Sequence, residues 1–553
     1  MPSMTSVQRD TFFPLPQRQR LACAVLLALL PLAAGAQQAA PAPVEAAQDA
    51  GVKTVTINEY IVRGNTVLDA RQIEQAVEPY LGPGRTLADV EKARDAVNAL
   101  YQQAGYQSVY VDLPEQQVSG CVVLLKVQQT PIGRLRVVGA AYDSPARIRE
   151  QVPSLAEGEV PDFDAAQAEL GALNQGGRRQ VLPLVREGAM PGTMDVDLQV
   201  DDRSPWRASA AVNNDHSADT EKLRLSASLA HENLWQRGHS ANIGVYLAPE
   251  DTKQAKVFSA GYTAPFAGTP WSIEASGYIS DSRVLNAGGQ GGAGSGTNVI
   301  GDGHSIGVKL NYLLPSSTTW WRQLSIGVDF KDTREDTQVG KDRLLSPLKY
   351  APLTLGFVGV RQGASDQTSI STSLVAGTRR LLGYGSGGDD FFQKRYWADP
   401  SFVAFKADVS NTHTFDSDWQ WYARAALQVT DAPLVSAEQF AAGGMYTVRG
   451  YLSAEAIGDY GGLANLEWRT PAWSLWSGSD LRLYTFADAA YLRLRRPLPE
   501  QTSKYNLAPL GIGAQLRLGE HLQLRLDYAW PYSDGPVTPR DDKRLHFNIS
   551  TSY

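Results

Sequence analysis

Toward its C-terminus the chain alternates apolar and polar residues with a period of two. Leu522, Leu524, Leu526, Tyr528 and Trp530 interleave with Gln523, Arg525 and Asp527, and Leu545, Phe547, Ile549 and Tyr553 interleave with His546, Asn548, Ser550 and Ser552. Successive side chains of a strand point to opposite faces, so one face is greasy and the other polar, as in a closed barrel with lipid outside and a wet lumen inside. From Trp206 onward sixteen segments read as strands, beginning near Trp206, Leu223, His239, Ala255, Trp271, His304, Arg322, Leu353, Thr368, Phe402, Trp419, Leu463, Leu481, Leu510, Leu522 and Leu545. The number is even, as a barrel with both chain ends on one side of the membrane requires. The connections alternate in length: Ala264 to Pro270 and Leu518 to His521 are short, whereas Asp281 to Gly303, Lys331 to Tyr350, Gly377 to Pro400 and Asp431 to Gly461 are long. A soluble β-sandwich has no reason to show this asymmetry; a barrel with short periplasmic turns and long outer loops does.

The pattern before Trp206 is different. Thr54 to Val62 alternates as a strand, Gly64-Asn65 turns, and Asp69 opens a helix with Ile73 and Val77 on one face. Thr86 and Asp89 form a capping box ahead of Val90, Ala93, Val97, Leu100 and Tyr101 at helical spacing, and Gly105 ends that helix. Val109 to Leu113 and Val122 to Val127 add two strands. A second stretch repeats this order with Arg134 to Val138, a turn at Gly139, helices over 145–152 and 164–173, and strands over 181–186 and 194–200. Consecutive copies of one topology say more than either alone.

Composition narrows the class. All 12 Trp lie between Trp206 and Trp530, as expected of aromatic girdles confined to a membrane wall. A formal charge of -7 argues against nucleic acid as a partner, and beyond residue 36 no apolar run approaches the length of a spanning helix. Arg18 and Arg20, the run Leu21 to Leu32 and Ala34-Gly35-Ala36 fit an export signal over residues 1–36, followed by an Ala/Gln/Pro-rich disordered leader over 37–51. The boundaries then fall at 52–130 and 131–203 for the two α/β modules and 204–553 for the barrel. Cys121, the only cysteine after the signal, is expected to be a buried structural thiol.

With these motifs in hand the chain resembles the TpsB transporters of two-partner secretion, within the superfamily that includes the barrel assembly protein BamA. The first module carries the pattern of that family's POTRA domains in Gly64 and Asn65 of Val62-Arg63-Gly64-Asn65-Thr66, in Tyr101 with Gly105-Tyr106, and in Pro114 and Gln116 of Leu113-Pro114-Glu115-Gln116. The second carries it in Pro191-Gly192-Thr193 and the run to Pro205-Trp206. Structural roles in turns and core are expected for Tyr106, Pro114 and Gln116. The sharpest match is Val448-Arg449-Gly450-Tyr451, between the eleventh and twelfth strands. The resemblance implies that this loop folds back into the lumen and that its Arg pairs with the Asp of an F-x-D motif on strand thirteen, here Phe486-Ala487-Asp488. Counting by twos from outward Leu481 and Leu483 turns Arg482, Tyr484, Phe486 and Asp488 inward, so the parity agrees. Glu467 shares the lumen parity of its strand and is a candidate neighbour.

No catalytic constellation competes with this reading. The 7 His show no metal-ligand spacing, no G-x-S-x-G elbow occurs, and the Gly288 to Gly296 tract has no helix behind it to cradle a phosphate. Neither an enzyme nor a cofactor or metal site is expected. The resemblance implies a pore that holds a secreted TpsA-like exoprotein through its POTRA domains, in contact with outer-membrane lipid and acting as a monomer. An assembly factor that inserts other barrels is the alternative. Relatives that plug the pore with an amphipathic N-terminal helix differ from residues 37–51, which carry no apolar stripe.

Overall fold

The computed structural model describes residues 54–553 other than 118–119, 175–177, 283–284, 287–298, 301, 316, 318, 340–341 and 500. The segments read as export signal and leader, and the Gly288 to Gly296 tract, lie outside the described residues.

The first unit contains β1 (Val55–Ile57), β2 (Glu59–Arg63), α1 (Ala70–Val77), β3 (Gly82–Arg85), α2 (Leu87–Gln103), β4 (Tyr110–Asp112) and β5 (Val122–Gln128). Its main sheet has the order β2-β5-β4, with β2 parallel to β5 and β4 antiparallel. A parallel pair needs a crossover, and the two helices provide it while covering one sheet face. Asp69 caps α1 by accepting from the Arg71 N–H at 3.0 Å, and the Thr86 N–H donates to Asp89 at 3.0 Å to start α2. Ile73, Val77, Val97, Tyr101, Val123 and Leu125 form the core between them.

At three points the first unit differs from what its sequence pattern assigns. The single strand read over Thr54 to Val62 is two strands broken at Asn58, whose N–H donates to the Cys121 carbonyl at 2.7 Å. Gly82–Arg85, a segment given no element by the sequence pattern, pairs with β1 because a ladder needs backbone groups and not side chains. Cys121 is half-buried rather than buried: it occupies a left-handed turn position with φ 63° at the start of β5.

The second unit repeats the topology with β6 (Ile132–Val138), α3 (Pro145–Glu150), α4 (Phe163–Leu173), β7 (Arg179–Glu187) and β8 (Met194–Asp202), in the sheet order β6-β8-β7. The Phe163 N–H donates to the Gly105 carbonyl at 2.9 Å and Val160 packs on the first unit's core, so the two units touch directly.

Sixteen antiparallel strands then close a barrel. The first (Trp206–Asn213) pairs with the sixteenth (Arg544–Ser552) from Asn213 opposite Asn548 to Ser209 opposite Ser552. The eighth strand is interrupted between Asp342–Tyr350 and Leu353–Gln362, and the fourteenth between Lys504–Leu507 and Pro509–Leu518. The expected loop over Lys331 to Tyr350 is instead an extension of the wall: the seventh strand runs through Trp320–Val339 and pairs with Asp342–Tyr350. Above the lipid the ladder continues, but neither face need be apolar, so the hydrophobic period disappears while the strand does not. At membrane level the alternation sorts the faces as expected: Ile512, Leu526 and Ile549 point outward and are exposed, whereas Asp527 and His546 are buried within.

Candidate functional site

The connection between the eleventh strand (Gln420–Thr430) and the twelfth (Tyr460–Arg469) turns inward and is buried along most of its length. A short hairpin, Phe440–Ala442 against Ala456–Gly458, shapes it. At its tip Val448 and Tyr451 are fully buried, Val448 among Ala426, Phe440 and Leu463, while the Tyr451 hydroxyl donates to the Ser533 carbonyl at 2.7 Å. Gly450 has φ +91°, and a Cβ there would lie 3.1 Å from Ala529 Cβ and 3.3 Å from Pro531 Cγ. Its N–H donates to His546 Nε2 at 3.0 Å, and its carbonyl accepts from Arg544 Nε at 3.2 Å. The turn therefore lies directly against the wall, where a left-handed backbone and the lack of a side chain are both needed.

Arg449 is 2% exposed. Its Nε and Nη2 donate to the two oxygens of Asp488 at 2.8 and 2.6 Å, a fork on a carboxylate, and its own backbone N–H adds a third bond to Asp488 at 3.1 Å. Nη1 reaches Glu467 at 2.6 Å. The guanidinium carbon sits 3.6 Å from the centroid of the Phe486 ring. Both elements of the Phe486-Ala487-Asp488 motif thus meet the same cation, one by charge and one by its π face. Space for the ring exists because Gly511 on the neighbouring strand has no side chain: a Cβ there would collide with Phe486.

Residues not singled out from the sequence complete the cluster. Arg525 on the fifteenth strand (Leu522–Pro531) donates to Glu467 at 3.1 Å and to Asp527 at 2.8 Å, and Arg469 donates to Glu467 at 2.6 Å. Tyr484 donates to Asp527 at 2.7 Å. The cations Arg449, Arg469 and Arg525 face the carboxylates Glu467, Asp488 and Asp527, so the formal charges cancel within the cluster. The only signal for the added members was lumen parity, on strand twelve for Arg469, strand thirteen for Tyr484 and strand fifteen for Arg525 and Asp527.

The motif positions of the first unit lie far from this cluster in sequence and hold their own module together. Gly64 has φ +94°, with Val127 O 2.5 Å from where a Cβ would be. The Asn65 side chain bonds both backbone groups of Leu68 and accepts from the Tyr101 hydroxyl at 2.8 Å, while burial pushes the Tyr101 phenol up to about 12. Gly105 has φ +87° and Tyr106 packs on the core. Gln116 bonds the N–H and the carbonyl of Leu124, both at 2.8 Å, and also reaches the Pro114 carbonyl at 3.4 Å. Its carboxamide thereby substitutes for a strand along the part of β5 that short β4 leaves uncovered.

Residues 192–516, well over half of the chain, match the family described as haemolysin secretion/activation protein ShlB/FhaC/HecB. The chain belongs to this family. Residues 55–130 match the ShlB-type POTRA domain. The outer membrane transporter CdiB of Escherichia coli O6:K15:H31 is 23% identical over 463 residues, covering 80% of this chain and 74% of that protein. CdiB of Dickeya dadantii is 24% identical over 239 residues, covering 42% and 40% respectively. In fold, CdiB from Escherichia coli matches with a TM-score of 0.58 at 19% identity over 93% of both chains. BamA from Haemophilus ducreyi lacking POTRA domains 1-3 matches with 0.52 at 15% identity over 90% of this chain and all of that one. This family member is therefore an outer-membrane barrel carrying its POTRA region on the periplasmic side.

Proposed function

We propose that the chain is the pore-forming half of a two-partner secretion pair. Residues 52–130 and 131–203 act as two POTRA domains that hold an extended TpsA-like exoprotein in the periplasm, and the barrel over 204–553 passes it to the cell surface. Extended chains can add to exposed strand edges, which suits a cargo kept unfolded. The barrel works as a monomer in outer-membrane lipid, without a cofactor and without catalysis of its own.

The observation that carries the proposal is the lumen position of Arg449, forked on Asp488 and stacked on Phe486. A loop inside a wet channel needs an anchor, and a shielded Arg-carboxylate pair is screened far less than a surface one. In this reading Val448, Arg449, Gly450, Tyr451, Glu467, Phe486 and Asp488 seat the loop in its working position. The decisive test replaces Arg449 by Ala and follows surface delivery of the partner exoprotein, to be sought as a large secreted β-helical protein in the neighbouring open reading frames. Insertion of the barrel is expected to persist while delivery falls. Full delivery would remove the anchor role. A collapse of the outer-membrane proteome on depletion would instead favour the assembly-factor reading.

The resting pore is closed by the outer loops and the infolded loop, with no contribution from residues 37–51. Deleting those residues is expected to leave single-channel conductance unchanged, and a large increase would refute this.

A further inference from the structure

The second unit is joined to the first wall strand by only Arg203-Ser204-Pro205, a connection that on its own would be a hinge. Units linked in this way move relative to each other unless something else holds them. The turn between the second wall strand (Arg224–Leu234) and the third (His239–Leu247) does so. Gln236 in this turn accepts from the Ser144 N–H at 3.0 Å and donates to the Tyr142 carbonyl at 2.9 Å, gripping the loop before α3 at two points. Asn233 donates to Asp143 at 2.6 Å, and Asp143, almost wholly enclosed, takes both its oxygens to Arg178 at 2.8 Å. That loop is itself rigid: Asp202, at the end of β8, accepts from the N–H groups of Ala141, Tyr142 and Asp143 at 2.9, 2.9 and 2.7 Å. The Glu232 N–H donates to the Pro205 carbonyl at 2.9 Å and ties down the linker as well.

The turn's own chemistry points the same way. Its first two residues, Trp235 and Gln236, have φ 62° and 55°, the pattern of a hairpin turn that Asn-Gly fills without strain. Two bulky residues held left-handed in this four-residue connection, Trp235-Gln236-Arg237-Gly238, weaken the hairpin locally, and such outliers persist where the side chains do something else. Gln236 grips the second unit. Trp235 is 71% exposed at the periplasmic rim, where an indole suits the headgroup layer.

We propose that this turn is a docking clamp: Asn233 and Gln236 hold Tyr142, Asp143 and Ser144 so that the second unit keeps one tilt over the barrel mouth, and cargo delivery depends on that fixed tilt. The delivery half rests on the secretion function proposed above; the orientation half does not. The test replaces Trp235 by Asn together with Gln236 by Gly in the full-length protein, a change that improves the hairpin and so leaves the barrel folded. Spin labels at Leu182→Cys and Glu520→Cys in a Cys121→Ser background report the distance between the second unit and the barrel. The expected result is a broadened distance distribution with unchanged conductance and a several-fold loss of surface exoprotein, with Asp143→Asn giving the same broadening from the other side of the contact. An unchanged distribution overturns the clamp. Broadening with full delivery overturns the need for a fixed tilt and leaves cargo capture by the POTRA region standing.

Discussion

Replacing Arg449 by Lys is the most informative perturbation of the lumen cluster, because it keeps the charge and removes the shape. The guanidinium fills three roles at once: Nε and Nη2 fork Asp488 at 2.8 and 2.6 Å, Nη1 meets Glu467 at 2.6 Å, and the plane stacks 3.6 Å from the Phe486 centroid. An ammonium is a point donor on a flexible stem and cannot reproduce the fork while also reaching Glu467. Losing one charged hydrogen bond costs about 1.5–3 kcal/mol, and losing the desolvated stack adds about 0.5–2 kcal/mol. Together these amount to about 2–5 kcal/mol, which lowers the ratio of seated to unseated loop by a factor of roughly 30–5,000. Single-channel recording should show this as frequent excursions to open levels that are rare in the wild type, and protease added from outside should cut within Asp431 to Gly461. Arg449→Ala should go further, since a buried carboxylate pair left without its cation costs about 3–5 kcal/mol. Removing Asp488 at the same time should recover part of that loss, because no uncompensated charge remains on that side. If Arg449→Lys matches the wild type in both assays, charge alone seats the loop and the forked geometry has been given a role it does not have.

Other substitutions probe the local geometry. Gly450→Ala forces a Cβ into a left-handed position 3.1 Å from Ala529 and should cost at least about 1–2 kcal/mol, read as earlier loss of the heat-resistant folded band on a gel. Gly64→Ala directs its Cβ at Val127 O from φ +94° and should open the first POTRA domain to limited proteolysis while leaving the barrel intact. Gln116→Ala strips the backbone of Leu124 of two bonds, about 1–3 kcal/mol for each group left unpaired, so the Leu124 amide should lose hydrogen-exchange protection while amides of β2 change little. The Thr86 N–H holds Asp89 below the usual carboxylate range. A depressed pKa stabilises the folded form above the unfolded value and is lost as pH falls below it, so Asp89→Asn should remove a stability difference that exists at neutral pH and vanishes in acid. Equal stability of the two proteins at neutral pH would contradict this.

The wall was legible because lipid enforces a strict rule. Every second residue must be apolar, and each wall strand begins within three residues of where the alternation places it, taking the eighth and fourteenth at their membrane-level halves. Where lipid is absent the rule lapses, as in Lys331 to Gln338, where the ladder climbs on through a run with no apolar residue at either parity. The pairing of Arg449 with Asp488 could be anticipated from parity and family motif together. The rest of the cluster could not, because it depends on register carried across several ladders. Asp527 reaches the level of Tyr484 only through Gly513, which is opposite Asp527 on one side and Tyr484 on the other. Parity says which face a residue takes; only accumulated register says at what height it meets a partner two strands away. The clamp at Gln236 was invisible for a related reason, since a turn reads as a turn whatever its side chains grip.

The charge balance of the lumen cluster bears on how a seated loop could also be a movable one. Burying Arg449, Arg469 and Arg525 with Glu467, Asp488 and Asp527 is no route to high stability, because well-packed apolar residues of similar volume often do as well or better. An apolar seat, however, would remain apolar when the loop left it, and an extended cargo chain sliding past would meet a greasy patch inside a wet channel. A polar seat behaves differently. Once the loop withdraws, water can enter and solvate each carboxylate, so the penalty of opening is the loss of good geometry rather than the exposure of hydrocarbon to water. The neutral sum matters as well: with Arg449 withdrawn the wall retains Glu467, Asp488 and Asp527 against Arg469 and Arg525, one negative charge in excess, which draws the guanidinium back. Reversing Asp488 to Arg should therefore do more than weaken the anchor. It leaves an excess of positive charge at the seat that repels Arg449, and conductance should stay at open levels, whereas Asp488→Asn should only flicker; identical traces from the two would mean that electrostatic return plays no part in closing the pore.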